Sequence, residues 1–151
     1  MKLWMQGKDE RDPRAFGERF AWRMVMLFSG MAVYMTFGSI IGGRPIAILA
    51  TLIALALSYG FRLRAAGDEQ RRGETMEDER DAWILAHSDR GFRIAASCWY
   101  GVLTLALCFD TSRAALQAND CALPGMVLLG LIVANIVGQL TVAVLYRRDR
   151  Q

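Results

Sequence analysis

Charged residues are distributed unevenly along this chain of 151 residues. Four stretches contain no Asp, Glu, Lys or Arg, and they cover residues 24–43, 45–61, 94–109 and 121–146. A helix on the surface of a soluble domain keeps one polar face, so charges should recur along it. Uncharged apolar stretches of about 20 residues are instead typical of membrane-spanning helices. The pattern therefore predicts four transmembrane helices, TM1 to TM4.

The predicted fold is an all-α integral membrane four-helix bundle, built from two helical hairpins and forming a single domain (1–151). In order, we expect a cytoplasmic N-terminal helix region (1–23), TM1 (24–43), TM2 (45–61), a cytoplasmic loop with an amphipathic helix (62–93), TM3 (94–109), an outer loop (110–122), TM4 (123–146) and a cytoplasmic tail (147–151). We expect the helix at the end of the 62–93 segment to continue without a break into TM3, and a flexible turn at 62–73.

The positions of Lys and Arg predict the orientation. Sixteen of these 18 residues lie in 1–23, 62–93 and 147–151, and only Arg44 and Arg113 lie in the other two connections. Cytoplasmic segments of membrane proteins carry the excess of Lys and Arg. Both termini and the central loop are therefore expected in the cytoplasm, with the protein in the cytoplasmic (inner) membrane. This explains the pI near 9.0 better than nucleic-acid binding does.

A short charged motif occurs twice. Asp9-Glu10-Arg11-Asp12 recurs, 69 residues later, as Asp78-Glu79-Arg80-Asp81. Each copy precedes a predicted span, and the following span begins with a proline, Pro45 or Pro124. This indicates either a parallel internal repeat, with a pseudo-twofold axis along the membrane normal, or a chance recurrence in charge-rich segments.

The second copy, with Ile84 and Asp89-Arg90 after it, resembles a group of small prokaryotic multi-span proteins. In these proteins an Asp-Glu-Arg motif stands just before a membrane helix. The resemblance implies a four-helix membrane protein of a bacterium or archaeon and implies no particular activity. The proline-led spans and the N-terminal copy of the motif depart from that pattern.

Small residues that recur every four positions predict where the helices pack, because they let backbones approach closely in lipid. The candidate packing residues are Gly38 and Gly42 in TM1, Ala50, Ala54 and Ser58 in TM2, and Ala134 and Gly138 in TM4. The same faces would also suit a homo-oligomer.

Polar residues and cysteines form three further candidate sites, each with a weaker signal. Asn135 and Gln139 share one face of TM4, and they would either line a path for a small solute or hydrogen-bond to neighbouring helices. Cys108 and Cys121 flank the outer loop and would form a disulfide or stay free. Asp78, Glu79, Arg80 and Asp81 would either bind a divalent cation or pair with cytoplasmic arginines, and we favour the pairing.

No catalytic, cofactor-binding or metal-binding constellation is predicted. His87 is the only histidine, and the four stretches hold no ionisable Asp, Glu, Lys, Arg or His, which argues against coupled ion transport. We therefore expect a non-enzymatic membrane component of regulatory, immunity-type or structural role, which binds the bilayer and a protein partner or a second copy. The expected contact surface comprises two stripes, Phe16/Phe20 and Trp83/Ile84/His87, which would otherwise pack the two helices on each other. The alternative is an oligomeric small-solute transporter or channel.

Overall fold

The computed structural model describes residues 16–71 and 79–148, and within these two parts the chain is helical with no strand. The helices are α1 (Phe16–Met35), which continues as a π-helical segment (Thr36–Ile41), α2 (Pro45–Arg71), α3 (Glu79–Leu107), α4 (Asp110–Gln117) and α5 (Ala122–Arg148). The prediction of an all-α protein is confirmed for these residues.

Helix α5 lies at the centre of the fold. Helices α1 and α3 pack along it, and α2 and α4 touch it over shorter lengths. In the described parts of the chain, the backbone of α3 approaches neither α1 nor α2. The arrangement therefore differs from a closed four-helix bundle, in which α2 and α3 would be neighbours.

Two helices are long and apolar enough to cross a membrane, at Phe20–Ile41 and Ala122–Arg148. They correspond to the predicted TM1 and TM4. The predicted TM3 falls in α3, which bends by 103° into α4, and the two helices meet the same criterion only as a bent pair. The apolar part of α2, Pro45–Gly60, is shorter. Length and composition therefore support two spans, or three with the bent pair.

Two segments differ from the predicted loops. Helix α2 continues to Arg71, through the turn predicted at 62–73, because Leu, Arg, Ala, Glu and Gln are good helix formers that outweigh Gly67. The outer loop contains α4, whose first turn carries Asp110. A carboxylate there is stabilised by the helix dipole, and Asp110 also pairs with Arg113 at 3.0 Å.

Helix α3 runs unbroken from Glu79 into the apolar stretch, as predicted. The two proposed hairpins are unequal, since α3 packs along α5 whereas α2 meets α1 less extensively. The first motif copy, 9–12, and Asp78 of the second lie outside the described residues. Glu79, Arg80 and Asp81 are placed on the first turn of α3 by their backbone alone. The internal repeat stays a prediction.

Candidate functional site

The end of the first helix and the start of α5 meet in a junction at the end of the fold that the sequence predicts to face outward. We call this the outer end and the opposite end the inner end. The chain leaves α1 through the π-helical segment, in which Gly42 N donates to Phe37 O at 3.1 Å. Such segments leave carbonyl groups that need partners from elsewhere. The Asn119 side chain is one such partner, with Nδ2 donating to Ile40 O at 3.3 Å and to Ser39 O at 3.2 Å. Ser39 O also accepts from Gly43 N at 3.0 Å.

The other atoms of this junction are paired as well. Asn119 Oδ1 accepts from Cys121 N at 2.9 Å, which also shapes the turn into α5. The fully buried Ser39 hydroxyl donates to Cys121 O at 3.0 Å. Ser39 and Ile40 lie against Gly125 of α5, where a Cβ would come within 3.0 Å of the Ser39 hydroxyl oxygen. We name this set (Ser39, Ile40, Asn119, Cys121 and Gly125) the outer clasp.

An open cleft lies beside the outer clasp. It is lined by Gly43, Pro45, Ala118, Asn119, Asp120 and Cys121. Gly43 has φ of +60°, which a residue with a Cβ adopts only at a cost. A Cβ there would also lie 3.0 Å from the Asn119 amide nitrogen, closer than an ordinary contact. The cleft contains the carboxyl group of Asp120 and the buried thiol of Cys121, and the backbone N and O of Cys121 are already hydrogen-bonded within the clasp.

The interface between α3 and α5 depends on two close approaches. The indole of Trp99 lies on Gly130, and its Nε1 donates to Met126 O at 3.0 Å. Gly138 lies about two turns after Gly130 on α5, toward the inner end, and its backbone O accepts from the Ser88 hydroxyl at 2.9 Å. The first contact needs a glycine, because a Cβ at Gly130 would overlap the indole, whereas a Cβ at Gly138 would make ordinary contacts with Ser88 and Phe92.

At the inner end, α1, α3 and α5 share one buried cluster formed by Ala21, Ile84, Val142 and Ala143. The predicted stripe on α3 is divided there. Ile84 packs into the cluster, whereas Trp83 is half exposed. The rings of Trp83 and His87 contact each other with centroids 3.9 Å apart and planes tilted by 40°, and His87 Nδ1 lies 2.9 Å from Trp83 O. Phe16 of the other predicted stripe is placed by its backbone only.

The predicted packing residues have different surroundings. Gly38 lies against Ala47 of α2, Gly42 tightens the turn after the π-helical segment, and Ala134 and Gly138 are buried on α5. On α2 the buried positions are Ala47, Thr51 and Ser58, and Ala54 is half-buried. Ala50 is exposed, so the contact face of α2 is rotated relative to the predicted one.

The predicted polar pair forms no bond between helices. Asn135 Nδ2 donates to Leu131 O of its own helix at 2.9 Å. Gln139 is half-buried, and its side chain makes no hydrogen bond with another described residue. Thr36 of the π-helical segment and Thr104 of α3 also bond within their own helices.

The cysteines are free thiols in the structure, which is the unbonded one of the two alternatives for Cys108 and Cys121. Cys121 is buried in the outer clasp, whereas Cys108 is exposed and donates to Thr104 O at 3.5 Å. Among the residues that the structure describes, no three His, Cys, Asp or Glu side chains group as metal ligands.

Sequence reasoning missed the residues that join the helices, namely Ser39, Ser88, Asn119 and Trp99. Asn119 had a detectable signal, since Asn is favoured just before a helix. The chain as a whole matches no family model, no curated protein and no solved structure.

Proposed function

We propose that this chain is a four-span protein of the cytoplasmic membrane, with both termini inside, that acts without catalysis by binding another protein at its cytoplasmic end. The two long apolar helices support membrane insertion. The apolar part of α2 and the bent pair of α3 and α4 would supply the two further spans, and the uneven Lys and Arg distribution supplies the orientation.

The observation that carries the binding role is the inner end of α3. This helix extends beyond its apolar part in one piece, and one face of the extension is used by Ile84 and Ser88 to hold α5. The neighbouring face presents the contacting rings of Trp83 and His87. Aromatic side chains of this kind are enriched in protein interfaces, and a rigid helix can present them without losing much side-chain freedom on binding.

Site-specific photo-crosslinking tests this role. A photoreactive amino acid is placed at Trp83 and, as the matched control, at Val127, which is also exposed but lies near the outer end of α5. We expect a discrete protein adduct from position 83 and none from position 127. An adduct of twice the chain's mass would identify a second copy as the partner. Absence of any adduct from position 83 in intact cells would contradict the proposal.

The alternative is an oligomeric transporter or channel for a small solute. The observation in its favour is the half-buried Gln139 without a hydrogen-bond partner among the described residues. Asn135 bonds only to its own helix, so Asn135→Leu should leave packing intact. Solute uptake by liposomes that is lost in Asn135→Leu and in Gln139→Leu, with unchanged thermal stability, would favour this alternative.

A further inference from the structure

The contacts between α3 and α5 show which residues of the two helices lie side by side, and therefore at the same depth in a membrane. Ser88 bonds to Gly138, and Gly91 lies against Val137 and Thr141. Residues 88–92 of α3 therefore stand beside residues 137–141 of α5. Asp89, Arg90 and Arg93 of α3 are thus level with the polar pair Asn135 and Gln139, which the uncharged sequence of α5 places well inside a membrane span.

The contacts between α1 and α5 independently place a charged residue of α1 at a similar depth. Ala21 shares a cluster with Val142 and Ala143 of α5, and the two helices are antiparallel. Arg23 lies two residues, or about 3 Å, farther along α1. The charge-free stretch of α5 ends at Tyr146. The first charged residues of α1 and α3 therefore lie beside α5 residues several positions before that end.

Beyond this level, toward the end that carries Arg147 and Arg148, one apolar cluster is shielded from water by the three helices. Ala21, Ile84, Val142 and Ala143 are buried among α1, α3 and α5, with Arg147 and Arg148 exposed just after them. Burying apolar side chains inside the protein is favourable in water, whereas it brings no hydrophobic gain within lipid.

We propose that Arg90 and Arg93 on α3, with Arg23 on α1, bind anionic phospholipid headgroups of the inner leaflet, and that the inner ends of α1, α3 and α5 project beyond that level into the cytoplasm. The inference rests on the membrane location proposed above. It moves Asn135 and Gln139 from the bilayer interior to the headgroup level.

The arginines have the exposure and spacing that this binding needs. Arg23, Arg90 and Arg93 are exposed, and they form no ion pair with described residues. Arg90 and Arg93 share a helix face through their i, i+3 spacing. Arg93 Nε donates to the backbone oxygen of Asp89 at 3.3 Å, and the remaining guanidinium N–H groups can donate to a phosphate in pairs.

The adjoining surface indicates that the phosphate belongs to a lipid. Ile94, directly after Arg93, is 55% exposed, and the exposed side chains Val102 and Leu105 continue the apolar surface of α3 toward the outer end. A phosphodiester with acyl chains would satisfy both the guanidinium groups and this surface. Free phosphate shares only the first of these contacts.

Lipid retention tests the headgroup site. The detergent-purified protein is incubated with phosphatidylglycerol, and retained lipid is counted by native mass spectrometry. The double variant Arg90→Gln/Arg93→Gln should bind phosphatidylglycerol about tenfold more weakly than the unchanged chain, because each arginine contributes to attraction by anionic lipid. The control Arg113→Gln, at the outer end, should bind normally, and phosphatidylcholine should be retained equally by all three.

Two results would overturn the headgroup site. One is equal retention of phosphatidylglycerol by the double variant and the Arg113→Gln control. The other is displacement of the lipid by inorganic phosphate at the same concentration, which would identify a site for a free anion. The double variant Arg90→Lys/Arg93→Lys keeps the charge and should retain more lipid than the glutamine variant.

Thiol labelling tests the projecting inner end. In liposomes, with the three native cysteines replaced by Ala, Val144→Cys is compared with Val127→Cys, since both valines are exposed on α5. Val144→Cys should react with a water-soluble maleimide about tenfold faster or more, because only a hydrated thiol ionises readily. Equally slow reaction of both thiols in a protein that resists carbonate extraction would refute the inference. A protein released by carbonate would instead contradict the membrane location itself.

Discussion

The side-chain amide of Asn119 donates to the backbone oxygen of Ser39, 80 residues earlier in the chain, at 3.2 Å. The same nitrogen reaches Ile40 O at 3.3 Å, so one side chain completes the end of the first helix. Because Asn119 also shapes the turn into α5, it fixes the two hairpins to each other at their outer ends.

Replacing Asn119 by Ala should lower the free energy of unfolding by about 1–3 kcal/mol, because Ile40 O then loses the Asn119 donor and Ser39 O keeps only the bond from Gly43 N. Denaturant unfolding in mixed micelles would measure the change. Asp120→Ala is the matched control, since Asp120 is the exposed next residue. Equal stabilities of the two variants would show that the outer clasp contributes little.

The sequence predicts the helices better than it predicts how they meet. The charge-free stretches identify α1 and α5 directly, because a long apolar run leaves few alternatives to a buried or spanning helix. The end of α2 is harder to predict because its arginines and Gly67 suggest a loop, although the local helix propensity favours continuation. The π-helical segment depends on capping by Asn119, a contact that no local pattern indicates.

A Cβ at Gly130 should destabilise the protein, because it would overlap the indole of Trp99. We expect Gly130→Ala to cost about 1–3 kcal/mol, as overpacked interfaces do, and to weaken the hydrogen bond from Trp99 to Met126. Thermal unfolding and the Trp99 fluorescence spectrum would measure both effects.

Gly101→Ala is the control for this change, since a Cβ at Gly101 would have no neighbouring atom within 4 Å. It should be neutral or stabilising by about 0.5–1 kcal/mol, because Ala is the better helix former. A Gly130→Ala protein as stable as Gly101→Ala would mean that α3 and α5 do not pack in this register.

Adjacent residues on α3 should respond differently to truncation. Ile84 is 1% exposed and Leu85 is 57% exposed. Ile84→Ala should cost about 2–5 kcal/mol through the cavity it leaves, whereas Leu85→Ala should change stability little. Unfolding of the two variants in the same detergent would measure the difference, and a larger loss for Leu85→Ala would reverse the assigned face of the helix.

The depth of the polar pair is a second property that sequence patterns could not supply. Asn135 and Gln139 stand within 26 uncharged residues, so the chain alone places them inside a span. Gly138 of α5 contacts Ser88 and Phe92 of α3. These contacts place Asn135 and Gln139 beside charged residues of α3. Register between helices depends on such side-chain contacts.

The sidedness of two thiols tests the central claim, an oriented membrane protein with its inner ends in the cytoplasm. Cys108 is exposed at the outer bend, and Arg148→Cys would place a thiol at the end of α5; each is studied as the sole cysteine in bacterial spheroplasts. A membrane-impermeant maleimide should label Cys108 in intact spheroplasts and Arg148→Cys only after permeabilisation. Labelling of Arg148→Cys before permeabilisation, with Cys108 protected, would contradict the account.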